Sequence, residues 1–89
     1  MRLIKEIPHE RYRITVHNYN AKYLVKIELG QFEQTFKIGE TDVQSFEDLE
    51  GMLTPELLSN CLHRFIQMRD DWENAFNQKN ITSLFLIIR

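Results

Sequence analysis

The chain is poor in cysteine, proline and glycine, and each scarcity excludes a class of structure. A single cysteine, Cys61, allows no intramolecular disulfide and no cysteine-based metal cluster, which favours a reducing, cytoplasmic setting. The two prolines and three glycines are isolated, so neither a phosphate-binding glycine loop nor a flexible linker is predicted. No apolar run reaches the roughly 18–20 residues of a membrane-spanning helix, and the first residues lack the apolar segment of a secretion signal.

Net charge limits the expected partners, and chain length limits the number of domains. The formal net charge of −2 provides no general attraction to nucleic acid or to an anionic membrane, so no membrane partner is expected. A composition of 43% hydrophobic and 27% charged residues is typical of a globular chain. A length of 89 residues favours one domain, residues 1–89, with a core small enough that dimerisation would add useful stability.

The first half of the chain alternates apolar and polar residues in the pattern of half-buried strands. Two hairpins are predicted, with turns at Tyr19-Asn20 and Gly30-Gln31, because Asn and Gly tolerate a positive φ. Met1–Ile7 is expected to add a fourth strand. The first turn places Ile14 opposite Val25, and both turns direct the apolar side chains to the same face of the sheet.

The second half has helical periodicity. Ser45 is predicted to cap a short helix that ends at Gly51, and Thr54-Pro55 to begin a helix of about six turns. The predicted fold is therefore α+β: an antiparallel β-meander of three to four strands, with one face covered by a long C-terminal helix preceded by a short helix. The predicted core contains Tyr12, Ile14, Val16, Val25, Ile27, Phe36, Leu62, Phe65 and Trp72.

Residues 80–89 form an apolar tail for which the sequence leaves several structures open. A strand presents alternate side chains to opposite faces, so five consecutive apolar residues need more than one core to cover them. The tail could add a strand beside Met1–Ile7, form an interface segment in a homodimer, or pack into the core of its own monomer. The five residues are Leu84, Phe85, Leu86, Ile87 and Ile88.

The cysteine and histidine side chains that could form a catalytic or metal site are placed by their spacing in the core or too far apart to act together. Cys61 and His63 are two residues apart, about 200° around a helix, and therefore point away from each other. Cys61 lies on the apolar stripe and is expected in the core. His9 and His17 would be about 26 Å apart along one strand, too far to share a metal ion. No catalytic residue, cofactor site or metal site is predicted, and the chain is not expected to be an enzyme.

The opposite face of the predicted sheet carries a basic patch. A platform for single-stranded nucleic acid also needs exposed aromatic side chains, and the predicted registers direct the strand aromatics into the core. We therefore expect nucleic-acid binding to be weak and non-specific. The candidate partner-binding residues are Arg13, Lys22, Lys26 and Lys37 of the basic patch, and Leu84, Phe85, Leu86, Ile87 and Ile88 of the tail.

Three segments, Leu3–Pro8, Lys22–Glu28 and Phe32–Ile38, resemble a group of short bacterial proteins without an assigned function. The resemblance covers residues 1–78 and contains no active-site motif, so it implies no chemistry. We therefore expect a small non-enzymatic protein–protein interaction domain, whose partner is a second copy of the chain or another protein. The alternative is a weak nucleic-acid-binding protein that uses the basic outer face of the sheet.

Overall fold

A computed structural model describes the backbone of residues 1–88 and the side chains of residues 1–79, and its four strands form one antiparallel sheet. The sheet has the order β1-β2-β3-β4 and is followed by two helices, so the predicted α+β class and meander are confirmed. The elements are β1 (Arg2–Ile7), β2 (Arg13–Tyr19), β3 (Lys22–Leu29), β4 (Phe32–Gly39), a 3₁₀ turn (Glu40–Asp42), α1 (Phe46–Gly51) and α2 (Pro55–Ile88).

Both helices begin where their capping residues predict. The Ser45 hydroxyl accepts a hydrogen bond from the backbone N–H of Asp48 at 3.1 Å, and α1 starts at the next residue. The Thr54 hydroxyl accepts one from the backbone N–H of Leu57 at 3.1 Å, with Pro55 at the first helical position. These bonds satisfy N–H groups that a helix leaves unpaired at its start.

Helix α2 is longer than the predicted six turns. Its backbone includes residues 80–88, where the sequence allowed an extra strand or an interface segment. The described sheet has four strands, and the described pairing partner of β1 is β2. The side chains of residues 80–89 lie outside the described part of the chain, so the predicted interface at Leu84–Ile88 stays a prediction.

The first hairpin turns one residue later than predicted. Asn20 and Ala21 have φ angles of 51° and 59°, the conformation of a type I′ turn. Ile14 therefore pairs with Ile27, and the predicted pairing of Ile14 with Val25 is wrong by two residues.

Charge explains this choice of register. A shift of two residues keeps every side chain on its face, so the apolar pattern alone cannot distinguish the two pairings. The predicted register would place Arg13 opposite Lys26, and like charges on opposite strands destabilise a hairpin. The observed register places Arg13 opposite Glu28, with Nη1 of Arg13 4.0 Å from Oε2 of Glu28. The predicted register would also place Arg11 opposite Glu28, and this pair is wrong because Arg11 lies before the start of β2.

The second hairpin agrees with its prediction. Leu29 pairs with Phe32 and Val25 pairs with Phe36, on either side of a turn at Gly30-Gln31. Gly30 has a φ of 61°, which a glycine adopts without the steric penalty of a side chain.

The core lies between one face of the sheet and the first part of α2. Phe36 and Trp72 are predicted core residues that lie outside it: they are 38% and 66% exposed. Phe36 is on the edge strand β4, and Trp72 lies in the part of α2 where every described residue is exposed. Leu62 is half-buried against the core. The buried residues of the core cluster are Tyr12, Ile14, Val16, Val25, Ile27, Leu49, Cys61 and Phe65.

Two polar side chains join the sheet to the backbone of α2. The Tyr12 hydroxyl donates to the carbonyl of Leu58 at 2.8 Å, and the Gln34 amide donates to the carbonyl of Cys61 at 2.8 Å. Gln34 pairs with Ile27 and is the one polar residue on the core-facing side of β4. Its side-chain carbonyl also accepts a hydrogen bond from Arg64 at 3.2 Å. These contacts satisfy polar groups near the core and fix the position of α2 along the sheet.

Candidate interaction surfaces

One cleft of about 430 Å³ comes nearest to the composition of an active site. It is lined in part by His9, Tyr12, Leu58 and Ser59. His9 Nδ1 accepts hydrogen bonds from the backbone N–H groups of Arg11 and Tyr12 at 3.0 and 3.2 Å, and its ring stacks on that of Tyr12 at 4.9 Å. The Tyr12 hydroxyl already donates to Leu58. His9 Nδ1 and the Tyr12 hydroxyl therefore hold the β1–β2 connection and α2. Glu10 and Arg11 also line the cleft.

The cysteine and histidine of α2 do not form a reactive pair. Cys61 is fully buried, as predicted, whereas His63 is exposed. The polar neighbour of the thiol is Arg64, whose Nη1 lies 3.5 Å from Sγ. Among residues 1–79, no group of three His, Cys, Asp or Glu side chains is arranged to hold a metal ion.

The outer face of the sheet divides into an ion-paired end and a basic end. Arg13 lies at the first end, where its guanidinium is 3.5 Å from Glu6 and 4.0 Å from Glu28. Exposed pairs of this kind contribute little to stability, but they neutralise the charge that Arg13 would offer to an anion. Arg13 is therefore not a free member of the predicted basic patch.

The basic end contains the three lysines of the predicted patch. Lys37 pairs with Leu24, and Lys26 pairs with Thr35, so Lys26 and Lys37 are diagonal neighbours, roughly 7–8 Å apart at their Cα atoms. Lys22 lies two residues from Leu24 on the same strand face. In the described part of the chain, no carboxylate lies within ion-pair distance of any of the three lysines.

An aromatic residue that the sequence interpretation placed in a turn also lies at the basic end. Tyr19 is the last residue of β2, shares the strand face of Arg13, and is 52% exposed. It pairs directly with Lys22. Tyr19 was missed as an aromatic residue of the outer face because a turn at Tyr19-Asn20 removes it from the strand. A turn one residue later, at Asn20-Ala21, extends the alternation of β2 to Tyr19 and places this residue on the outer face.

Helix α2 continues beyond the sheet. We call residues 69–79 the α2 overhang, because every side chain in this range is exposed. Phe65 is buried, Met68 is half-buried, and the same helical stripe then continues into Trp72 and Phe76, which are 66% and 59% exposed. The stripe that packs on the sheet therefore extends into solvent with its two largest side chains uncovered.

A recess lies between the α2 overhang and the β3–β4 turn. Its volume is about 650 Å³, and it is lined by Gln31, Phe32, Met68, Asp71, Trp72 and Ala75. A second recess of about 250 Å³ continues along the helix and is lined by Trp72, Ala75, Phe76 and Lys79. Together they form a groove that is mainly apolar and has one acidic and one basic residue at its border.

Comparisons with protein-family models, curated proteins and solved structures found no match for the chain. The resemblance of residues 1–78 to short bacterial proteins therefore stays an expectation. In the part of the chain that the structure describes, no helix combines the length and the apolarity required to cross a membrane.

Proposed function

We propose that the chain is a non-enzymatic protein–protein interaction domain and that the α2 overhang is its main binding surface. The observation that carries this proposal is the exposure of Trp72 and Phe76 on the continuation of the core stripe. Tryptophan and other large aromatic residues supply much of the binding energy in protein interfaces. Solitary exposed apolar residues are common, but two large ones beside an apolar recess are typical of an interaction site.

The hydrogen bonds of His9 and Tyr12 and the burial of Cys61 support a non-enzymatic role. His9 and Tyr12, two of the four titratable residues that line the cleft of about 430 Å³, make the structural hydrogen bonds described above. The burial of the Cys61 thiol removes the chain's one candidate sulfur nucleophile from solvent. A free cysteine also suits a reducing compartment, and we propose a cytoplasmic setting for the interaction.

Site-specific photocrosslinking in cells that produce the protein tests this function. A benzophenone amino acid at position 76 should form covalent protein adducts, because that side chain extends from the exposed stripe. The matched control places the same amino acid at position 77, about 100° around the helix from position 76 and also exposed. Absence of any protein adduct from position 76, or equal adducts from both positions, would contradict the proposed surface.

Nucleic-acid binding at the basic end of the outer face is the second candidate. It is favoured by the exposed ring of Tyr19 beside Lys22, since bases stack on aromatic side chains and lysines contact phosphates. One aromatic residue and three lysines form a small platform. We therefore expect weak, sequence-independent binding to single-stranded RNA or DNA, with a Kd on the order of 10⁻⁴–10⁻⁶ M at physiological salt.

Fluorescence anisotropy with labelled oligonucleotides measures this binding. The pair Lys26→Glu with Lys37→Glu should remove it, because the two lysines are diagonal neighbours on the outer face. The pair Arg11→Glu with Arg69→Glu makes the same change in net charge outside the sheet and should weaken it much less. Equal losses from the two pairs would show that net charge, and not this face, determines binding.

A further inference from the structure

We propose that the partner of the α2 overhang is a second copy of the chain, bound by antiparallel pairing of the two helices about a twofold axis near Ala75. This inference rests on the proposed function and names the partner for the same surface. Its basis is the order of charges beside the apolar groove, the small residue at the centre of the groove, and the area left uncovered.

The charges along the α2 overhang favour self-pairing in one direction. Asp71 borders the groove at its beginning and Lys79 borders it at its end. They are eight residues apart, with Ala75 midway between them. In an antiparallel pair with its axis at Ala75, Asp71 of each protomer lies opposite Lys79 of the other. A parallel pair would place like charges together, which disfavours that direction.

Neither charge has a competing partner in the described structure. The described ion pairs involve Lys5, Arg13 and Arg69 with their carboxylates, and none includes Asp71 or Lys79. Two reciprocal contacts would form at once, because a twofold axis repeats each contact.

Ala75 suits a position on the axis. It contributes to both recesses of the groove, between Trp72 and Phe76. A small side chain at a helix crossing lets the two backbones approach and lets larger side chains on either side fill the space between them. Trp72 of each protomer would then lie against the partner's helix, and the β3–β4 turn beside Phe32 closes the end of the groove.

The uncovered apolar area is large enough to contribute the centre of a dimer interface. With roughly 150–250 Å² for a whole aromatic residue, Trp72 and Phe76 expose about 190–310 Å² per protomer, or about 380–620 Å² in a symmetric pair. This is about half of the roughly 1,000 Å² that a specific interface requires. The polar borders of the groove and the β3–β4 turn can supply the remainder.

Charge reversal tests the pairing in the full chain. Sedimentation equilibrium between about 1 µM and 1 mM should show a monomer–dimer equilibrium for the unmodified protein. Asp71→Lys and Lys79→Asp should each raise the dimer Kd on the order of tenfold or more, because two symmetric attractions become repulsions. An equimolar mixture of these two variants should form a heterodimer more tightly than either variant forms a homodimer. Both positions are exposed, and circular dichroism will verify that the variants stay folded.

Cysteine crosslinking locates the axis. Ala75→Cys should form an intermolecular disulfide readily under mild oxidation, since an axial residue meets its own copy. Asn77→Cys, about 200° around the helix, is the control and should not crosslink at the same rate. The native Cys61 is fully buried and will not compete.

A strictly monomeric chain at about 1 mM, or a dimer whose Kd is unchanged by both charge reversals, would overturn self-pairing. If position 76 meanwhile forms adducts with a different protein, the proposed interaction function remains and only the identity of the partner is wrong. If position 76 forms no adduct and the chain is monomeric, both proposals fail.

Discussion

Phe65→Ala should reduce the free energy of unfolding by about 3–5 kcal/mol, a large fraction of the roughly 5–15 kcal/mol that stabilises a typical domain. Phe65 is 3% exposed, and its ring lies 6.0 Å from that of Tyr12, so it joins α2 to the residue that precedes β2 within the core cluster. Truncation to alanine removes the apolar contact and leaves a cavity that neighbouring residues fill only in part. Urea unfolding followed by circular dichroism measures the loss.

Phe36→Ala is the matched control for this prediction. It makes the same chemical change on the sheet face that α2 covers, but Phe36 is 38% exposed on an edge strand. Because more than a third of the residue already contacts water, the expected loss is about 1–2 kcal/mol. Equal losses at the two positions would contradict the described core, in which Phe65 is buried and Phe36 is partly exposed.

The face of each strand could be predicted from the sequence because alternation has a period of two. Any slip by one residue moves apolar residues into water, which penalises the wrong face strongly. The register of the first hairpin could not be predicted in this way. The wrong pairing of Ile14 with Val25 and the observed pairing with Ile27 differ by two residues and bury the same side chains. The register of this hairpin therefore depends on weaker interactions, such as the charge opposite Arg13 and the positive φ angles at Asn20-Ala21.

The starts of the helices were predictable, whereas the extent of the sheet beneath α2 was not. Ser45 and Thr54 act within three residues of themselves, so their role can be recognised locally. Helical periodicity identifies the apolar stripe but does not show how far a second layer covers it. Phe65 and Trp72 therefore have the same position in the pattern, although only Phe65 is buried. The proposed interaction surface is the part of that stripe left uncovered.

The basic patch shows the same dependence on long-range structure. Lys22, Lys26 and Lys37 were predicted to share a face, and the pairing of β3 with β4 places them together. Arg13 was predicted with them, but its ion pairs with Glu6 and Glu28 depend on the pairing of β2 with both neighbours. An ion-pair partner on another strand can be identified only when the register is known. The sequence therefore predicts which residues lie on a sheet face better than it predicts which of their charges are unpaired.

Ile27→Asp should prevent stable folding, and Lys26→Asp should not. Ile27 is fully buried on the central strand β3, between Ile14 of β2 and Gln34 of β4. Burying a carboxylate without a cationic partner costs several kcal/mol, and the lost apolar packing of isoleucine adds about 2–5 kcal/mol. The total is comparable to the whole stability of a small domain.

Lys26, the neighbour of Ile27 in β3, is a demanding control because it lies in the same strand and receives the same substitution. The Lys26 side chain is on the outer face and half-buried, in the row that includes Thr15 and Thr35, so an aspartate there keeps access to water. We expect its thermal unfolding to remain cooperative, whereas the Ile27 variant should lack a cooperative transition and should exchange its amide hydrogens rapidly. If both variants unfolded cooperatively with similar midpoints, β3 would not have one buried face, and the alternation on which the core depends would be wrong. Unfolding of the Lys26 variant alone would mean that the two faces are exchanged.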